Sequence, residues 1–237
     1  DSGNLIDPFN GQKDILDKKL RHVSNAFSED PLRVLRIARF KSDLDGFEIT
    51  RETLLKINDI KKSEELNYLT GERIWLELYK VSDPFKFSKI LEELEVDDIL
   101  PGFVKGTCCT NKNLNKINNI SYFIHTAISD IDMFCKKLKV PNEYKDLALL
   151  LNNCKEHVIG YYPKPDSADE LISIIKKLDI RKNDRLNNFF EIISSEYNYI
   201  EFFKGLISKI RLYKLDDSSI KKSGKEIQNI ILNAHLD

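Results

Sequence analysis

Two side chains three residues apart carry the most informative chemistry in this sequence. In Phe27-Ser28-Glu29-Asp30-Pro31-Leu32-Arg33-Val34-Leu35-Arg36-Ile37-Ala38-Arg39-Phe40, the spacing of Asp30 and Arg33 puts an acceptor and a rigid donor fork on one face of a helix. Such a pair can read the edge of a base. Cytosine and adenine each present an amino donor beside a ring-nitrogen acceptor. Aspartate accepts from the amino group while arginine donates to the ring nitrogen. Guanine and uracil reverse that order, so acceptor would face acceptor and donor would face donor. Leaving polar groups unpaired in this way costs about 1–3 kcal/mol, enough to admit C and A and reject G and U. The same spacing also makes an ordinary surface ion pair worth a few tenths of a kcal/mol. Spacing alone does not separate the two readings.

The elements that must position this pair are helical. Ser28 is a good N-cap, followed by the acids Glu29 and Asp30 and by Pro31 in the first turn. Apolar residues then recur at helical spacing. A second helix is expected from about Thr50 to Ile60, and Thr70 can cap a third that buries Ile74, Trp75 and Leu78. Asp83-Pro84 starts a fourth, and Pro101-Gly102 closes the group. Residues 104–119 read as a polar loop. Helices are expected over 120–139, 141–158, 167–178, 182–196, 199–213 and 218–235. Before Ser24 the pattern differs. Residues 4–9 read as an extended segment entering a turn at Asn10-Gly11, residues 13–19 as a short helix or turn, and residues 20–23 as a second short strand. Two isolated strands are marginal in water, so they read as the end of a sheet whose other strands lie elsewhere.

Composition agrees with a mainly α, multi-helix array. The 237 residues suffice for one large domain or two small ones, and only 9 are Gly and 7 Pro. No apolar run reaches the roughly 18–20 residues of a membrane span, and no signal peptide is visible, which points to the cytoplasm. The chain begins at Asp1 and its only methionine is Met133, so it reads as a fragment or a processed product. Cys108, Cys109, Cys135 and Cys154 form no C-x-x-C pair and read as reduced thiols. The net charge of −1 argues against a generally basic nucleic-acid coat while leaving room for local patches.

The string EDPLRVLRIARF resembles the nucleotide-templating motif, EDxxR followed by LRxxRF, of bacterial class II tRNA nucleotidyltransferases, the family of CCA-adding enzymes and poly(A) polymerases. Three other stretches agree in order. Residues 5–15 with Leu20-Arg21-His22-Val23 are similar to the DPFGG-x-x-D-L…LRHV end of the family's head domain. Residues 69–77 are similar to its LTPERV-W-x-E helix start, and residues 139–148 resemble a body segment of the proteobacterial subgroup. The resemblance is dense over residues 5–100 and thinner toward residue 150. It implies a neck, body and tail array with a short β remnant of the head: residues 1–23 as the end of the head, 24–103 as the neck and 104–237 as body and tail.

By that resemblance Asp30 and Arg33 template CTP or ATP, and Glu29 sets the helix and the neighbouring loop. Arg36 and Arg39 continue the nucleotide-binding motif, facing phosphate or buttressing the helix. Glu72 and Arg73 support the templating helix. The family's metal-binding D-x-D strand and the RRD motif after it have no counterpart here. The resemblance therefore implies no catalytic or metal residue in this chain, Mg2+ held elsewhere in the parent, and no nucleotide addition by the chain alone. Phe9-Asn10-Gly11 stands where the family has Phe-Gly-Gly, a change Asn accommodates because it tolerates positive φ. The subgroup's HD phosphohydrolase needs a His-Asp pair that is lacking, and His125 reads as a packed or surface histidine. Basic groups at Lys136, Lys137 and Lys139, at Lys176 and Lys177, at Lys209, Arg211 and Lys214, and at Lys221, Lys222 and Lys225 either track the tRNA backbone or form solvated faces. The function so implied is the part of a CCA-adding enzyme that selects CTP and ATP and holds the tRNA 3′ end. Poly(A) polymerase is the alternative within the family, and a catalytically inactive helical RNA-binding module the alternative outside it. Oligomeric state is not legible.

Overall fold

The computed structural model describes residues 3, 6–107, 114–162, 168–194, 196 and 199–214. The chain divides into two compact units, residues 1–141 and 142–237, and the division falls within the stretch expected as body and tail. Eleven α-helices and one two-stranded sheet occur among the described residues, as the mainly α reading expects.

The first unit starts with α1 (Gly11–Leu16) and β1 (Lys19–Leu20). A 3-10 turn (Asn25–Glu29) leads into α2 (Leu32–Asp43), followed by β2 (Glu48–Ile49) and α3 (Arg51–Lys62). Then come α4 (Gly71–Lys80), α5 (Pro84–Glu93), α6 (Lys116–Ala127) and α7 (Ile131–Leu138). Helix α2 packs on both α4 and α5. Val34, Leu35 and Ala38 of α2 are fully buried, with Leu78, Phe87 and Leu91. Phe85 meets Phe123 of α6 edge-on at 5.2 Å, an arrangement aromatic quadrupoles favour.

Several expectations change at the element ends. Asn10 does take the left-handed conformation, φ 57°. Asp7 then holds the turn, accepting from the Gly11 and Gln12 N–H groups at 2.8 and 2.9 Å. Those backbone bonds hold its carboxyl below the ordinary carboxylate range. Residues 6–9 form a turn rather than a strand, while Asn4 and Leu5 lie outside the described residues. The only strand before α2 among the described residues is β1, and its partner is β2, paired parallel. Residues 19–20 are thus tied to the segment after α2. Asp83 caps α5 as expected, accepting from Phe85 and Lys86 N–H at 2.9 and 3.2 Å with Pro84 in the first turn. Thr70 sits at the α4 N-cap but makes no side-chain capping bond.

The helix expected over 120–139 is two helices. Ile128 pairs antiparallel with Phe103. Gly102, at φ +73°, turns its carbonyl to the Ser129 N–H and hydroxyl at 2.9 and 3.0 Å. Asp130 then recaps the chain through Met133 N–H at 2.8 Å. Helix α6 also begins at Lys116, inside the expected loop, because Asn115 caps it through Asn118 N–H at 3.0 Å.

The second unit comprises α8 (Asn142–Ile159), α9 (Ala168–Leu178), α10 (Asn183–Ile193) and α11 (Ile200–Lys214). Helix α8 packs on α9 and α10 through buried Leu147, Leu151 and Val158, with Leu171, Leu178 and Phe189 among the buried partners. Arg211 donates to the Ile180 carbonyl at 3.1 Å through Nε, tying α11 back to the α9–α10 connection. The helix expected over 218–235 lies outside the described residues.

Two contacts fix α4. At its start, a Cβ added to Gly71 would lie 1.8 Å from the Lys137 carbonyl oxygen, so the end of α7 seats where only glycine fits. Near its end, Glu77 is only 3% exposed and takes Arg39 Nε of α2, itself 16% exposed, at 2.9 Å. Lys80 reaches the other carboxylate oxygen at 2.9 Å. Burial pushes the Glu77 carboxyl up, and the hydrogen bonds and charges of Lys80 and Arg39 outweigh it, so the group lies below its ordinary range.

Two outcomes follow from these contacts. Gly71→Ala is expected to lower stability in urea titration by about 1–3 kcal/mol, because the added methyl overpacks against backbone. Glu77→Gln is expected to lose about 1–3 kcal/mol, because it leaves the largely covered Arg39 without its counter-charge. A carboxyl depressed in the folded state contributes stability above its unfolded titration and loses it as pH falls. The wild-type chain should therefore lose stability on acidification through the carboxylate range more steeply than Glu77→Gln.

Candidate functional site

The start of α2 sets the site. Phe27 is buried, and burying it winds residues 25–29 into a 3-10 turn separate from the helix. Asp30 is extended (φ −136°, ψ 105°), Pro31 is the first residue with helical dihedrals, and Asp30 Oδ1 accepts from Leu32 N–H at 3.1 Å. The capping residue is thus Asp30 rather than Ser28, and Asp30 stands at the mouth of the helix rather than within its first turn.

That placement separates the expected pair. Both Asp30 carboxylate oxygens lie 2.9 Å from Arg73 Nη2 of α4. Arg33 instead turns its Nη1 to the Ala26 carbonyl in the 3-10 turn. The Arg33 backbone N–H donates to the Asp30 carbonyl at 3.0 Å, but no side-chain hydrogen bond or ion pair joins the two among the described residues. The Asp30 side chain is 34% exposed, and an ion pair open to solvent contributes only about 0–1 kcal/mol. Arg73 therefore orients the carboxylate more than it stabilises the fold. Glu29 and Glu72 are exposed. Glu72 lies in the first turn of α4, where an acid favours the helix dipole. Arg39 is turned into the α2–α4 interface and stacks over the Phe40 ring at 4.4 Å.

Beside α2 lies a groove of about 370 Å3 whose walls include Arg21, His22, Phe27, Arg33, Arg36 and Phe40. Arg33, Arg36 and Phe40 are one face of α2, at helical spacing. No carboxylate is among the lining side chains. Arg21 pairs with Asp14 at 3.1 Å and lies 3.5 Å from Glu52, whereas Arg36 is exposed to solvent. Thr53 Oγ1 of α3 accepts the His22 backbone N–H at 3.0 Å and lies 2.9 Å from His22 Nδ1.

The sequence reading missed the groove residues Arg21 and His22 and the buried anchor Glu77. The signal for Glu77 was an acid amid buried residues, beside Trp75 and Leu78. For the groove it was the arginine–aromatic face of α2.

Elsewhere the structure places the other singled-out residues plainly. His125 is half-buried in α6. Its ring lies 6.1 Å from that of Tyr122. Cys135 and Cys154 are buried and not in a disulfide, and burial pushes the Cys154 thiol up. Cys108 and Cys109 lie outside the described residues. Two D-x-D strings occur, and both sit at helix ends. Asp43 accepts from Ser82 N–H at 2.9 Å, and Asp130 caps α7. Among the described residues no group of three or more His, Cys, Asp or Glu side chains is placed to hold a metal, and no helix is long and apolar enough to cross a membrane. Lys136, Lys137 and Lys139 are exposed, as are Lys176, Lys177 and Lys209. Lys177 lies 3.0 Å from His157 Nε2. Lys221, Lys222 and Lys225 lie outside the described residues, and so does the Lys214 side chain.

No protein-family model matches the chain. It is 34% identical over 238 residues to the Multifunctional CCA protein of Aliivibrio salmonicida (strain LFI1238), covering 79% of this chain and 58% of that protein. The protein of the same name from Vibrio campbellii (strain ATCC BAA-1116) is 32% identical with the same coverage. The chain thus spans somewhat more than half the length of the curated relatives it matches. Among solved structures, a CCA-adding enzyme in complex with CTP superposes with a TM-score of 0.58 at 17% identity, over 96% of this chain and 60% of that one. A CCA-adding enzyme in apo form I gives 0.58 at 18%, over 97% and 61%. At those identities the structural likeness is one of fold. The sequence likeness is to the Multifunctional CCA proteins, over somewhat more than half of their length.

Proposed function

We propose that this chain is the neck, body and tail of a cytoplasmic CCA-adding tRNA nucleotidyltransferase. In this reading residues 1–23 are the end of the head, 24–103 the neck and 104–237 the body and tail. The chain selects CTP and ATP and holds the tRNA 3′ end, while nucleotidyl transfer belongs to a head outside it. The described side chains do not fit the Mg2+ such chemistry uses, since both D-x-D strings are occupied at helix ends. The metal's role, stabilising charge on the transferring phosphoryl group, is assigned to that head, and the chain alone is expected to add no nucleotide.

The observation that carries the reading is how Asp30 and Arg33 are held. Asp30 is fixed by Leu32 N–H and Arg73 yet open to solvent, an oriented acceptor for the amino group of C or A. Arg33 is tethered only to a neutral carbonyl, and a guanidinium has five donors, so it is free to turn toward a ring nitrogen. Arg36 and the groove add positive charge for phosphate. Glu29 and Glu72 shape the two helix starts, and Arg39 acts as a buttress through Glu77.

Calorimetric titration of the chain with the four nucleoside triphosphates tests this. CTP and ATP are expected to bind about tenfold or more tighter than GTP and UTP, as unpaired polar groups at a mismatch require. Asp30→Ala or Arg33→Ala should erase the difference while leaving tRNA binding intact. That tRNA binding should weaken steeply with salt. Equal affinity for all four nucleotides would sink the templating role, and selection of ATP alone would turn the reading toward poly(A) polymerase.

A further inference from the structure

The groove beside α2 has more than positive charge to offer. Its volume of about 370 Å3 falls in the range of small-ligand pockets. Residues 20–24 line it on one side and α2 on the other. Two large apolar side chains that the fold leaves open are part of the lining: Val23 is 63% exposed and Phe40 37%. The arginines 21, 33 and 36 supply the charge, and the lining side chains include neither a carboxylate nor a carboxamide.

Phe40 is held in place. Arg39 lies over its ring at 4.4 Å, and that guanidinium is anchored on Glu77 at 2.9 Å. A surface fixed before its ligand arrives costs less to order on binding. An aromatic ring beside arginines suits a nucleobase held by its face with a phosphate alongside, the combination by which proteins hold single-stranded nucleic acid. Face contact tolerates any base, because every base has a π-face. Telling an amino group from a carbonyl takes an acceptor beside a donor, and an arginine only donates. Asp30, the acceptor of the base-reading pair, is not among the lining residues. The two compartments therefore differ in chemistry, one equipped to choose a base and the other to hold one without choosing. Arg33 joins them, because it lines the groove and follows Asp30 by three residues at the start of α2.

We propose that this groove is the subsite for the 3′-terminal nucleotide of the RNA strand, its base stacked on Phe40 whatever its identity and its phosphate met by Arg36. The proposal rests on the reading above that the chain holds an RNA 3′ end. Adjacency decides the placement: the neighbour of a nucleotide read by Asp30 and Arg33 is the end of the strand it joins, and Arg33 is the side chain common to both compartments. Charge agrees. Arg21 is already paired with Asp14, whereas Arg36 is exposed on the groove face of α2. Tolerance is also what the position demands, since a strand extended by C and by A presents different terminal bases at successive additions.

The test is fluorescence anisotropy of the whole chain with 5′-labelled hexanucleotide RNAs whose 3′ residue is C, A, G, U or abasic. The four bases should bind within about threefold of one another, and about fivefold or more tighter than the abasic end, the lower bound for one base stacked on an aromatic ring. Phe40→Ala and Phe40→Leu should erase the difference between base and abasic ends, and Phe40→Tyr should keep it. Phe40→Leu retains apolar bulk without a ring, so it carries the test if Phe40→Ala does not fold. Arg36→Gln should lower the slope of log affinity against log salt by about 0.7, one phosphate contact on a single strand. Saturating CTP should leave the RNA bound.

Equal affinity for base and abasic ends overturns the proposal, as does an equal loss for both in Phe40→Leu or the absence of RNA binding. Displacement of the RNA by CTP would put a mononucleotide in the groove and overturn it too. So would an abasic effect found only at an interior position of the strand. The RNA series contains no nucleoside triphosphate, so a Phe40-dependent 3′-base effect stands even where CTP and GTP bind alike. A preference for CTP over GTP with no such effect leaves base reading standing without this subsite.

Discussion

The ion pair of Arg39 with the buried Glu77 carboxylate sets the register of α2 against α4, and the candidate site depends on that register. Removing two charges from water costs several kcal/mol, recovered only where geometry and further hydrogen bonds are good. Here the carboxylate has a cation on each oxygen, Arg39 and Lys80, so the pair tolerates little sliding. One helical turn before Glu77 on the same face stands Arg73, which is thereby delivered to Asp30. The opposite end of α4 is pinned where Gly71 meets the end of α7. The position of the Asp30 carboxylate is therefore set by contacts along the whole length of α4 and is not a property of α2 alone.

Asp30 carries two structural duties, as cap of α2 and as partner of Arg73, and both use a carboxylate edge. In the proposed reading this makes acceptor and donor unequal. The acceptor is preorganised, which reduces the ordering cost of binding. The donor, Arg33, is held by one neutral carbonyl and can be drawn away cheaply. A site with one fixed and one adaptable partner suits two bases that share an amino group but differ in size.

Local chemistry made much of this legible. Asp83-Pro84, the periodicity of α3 and α8, and the turn at Asn10 all express short-range preferences that nothing in the fold opposes. Where the reading failed, a distant partner decided. Ser28 and Asp30 are equally good caps, and the burial of Phe27 chose between them by winding residues 25–29 into a separate turn. The apolar run through Ile128 reads as continuous helix, but Phe103 and Gly102 interrupt it. A strand of two residues such as β1 has no periodicity to read, and its partner lies beyond α2. At the site, the helix face bearing Arg33 and Arg36 was visible. The grip of Arg73 on Asp30, across 43 residues of sequence, was not, because no local preference encodes it.

The same distinction applies to charge. A net charge of −1 describes the far field and argues against a basic coat, yet binding of an anion depends on the few side chains around it. Several acids around α2 and α4 are committed to nearby cations. Asp14 and Glu52 sit on Arg21, Glu77 on Arg39 and Lys80, and Asp30 on Arg73. What remains facing the groove is Arg33 and Arg36 with two aromatic rings and the His22 imidazole. By neutralising cations elsewhere, these acids define where positive charge is left uncompensated. A nearly neutral chain can thus present a locally cationic, aromatic-walled site of the kind a nucleotide or an RNA phosphate would meet.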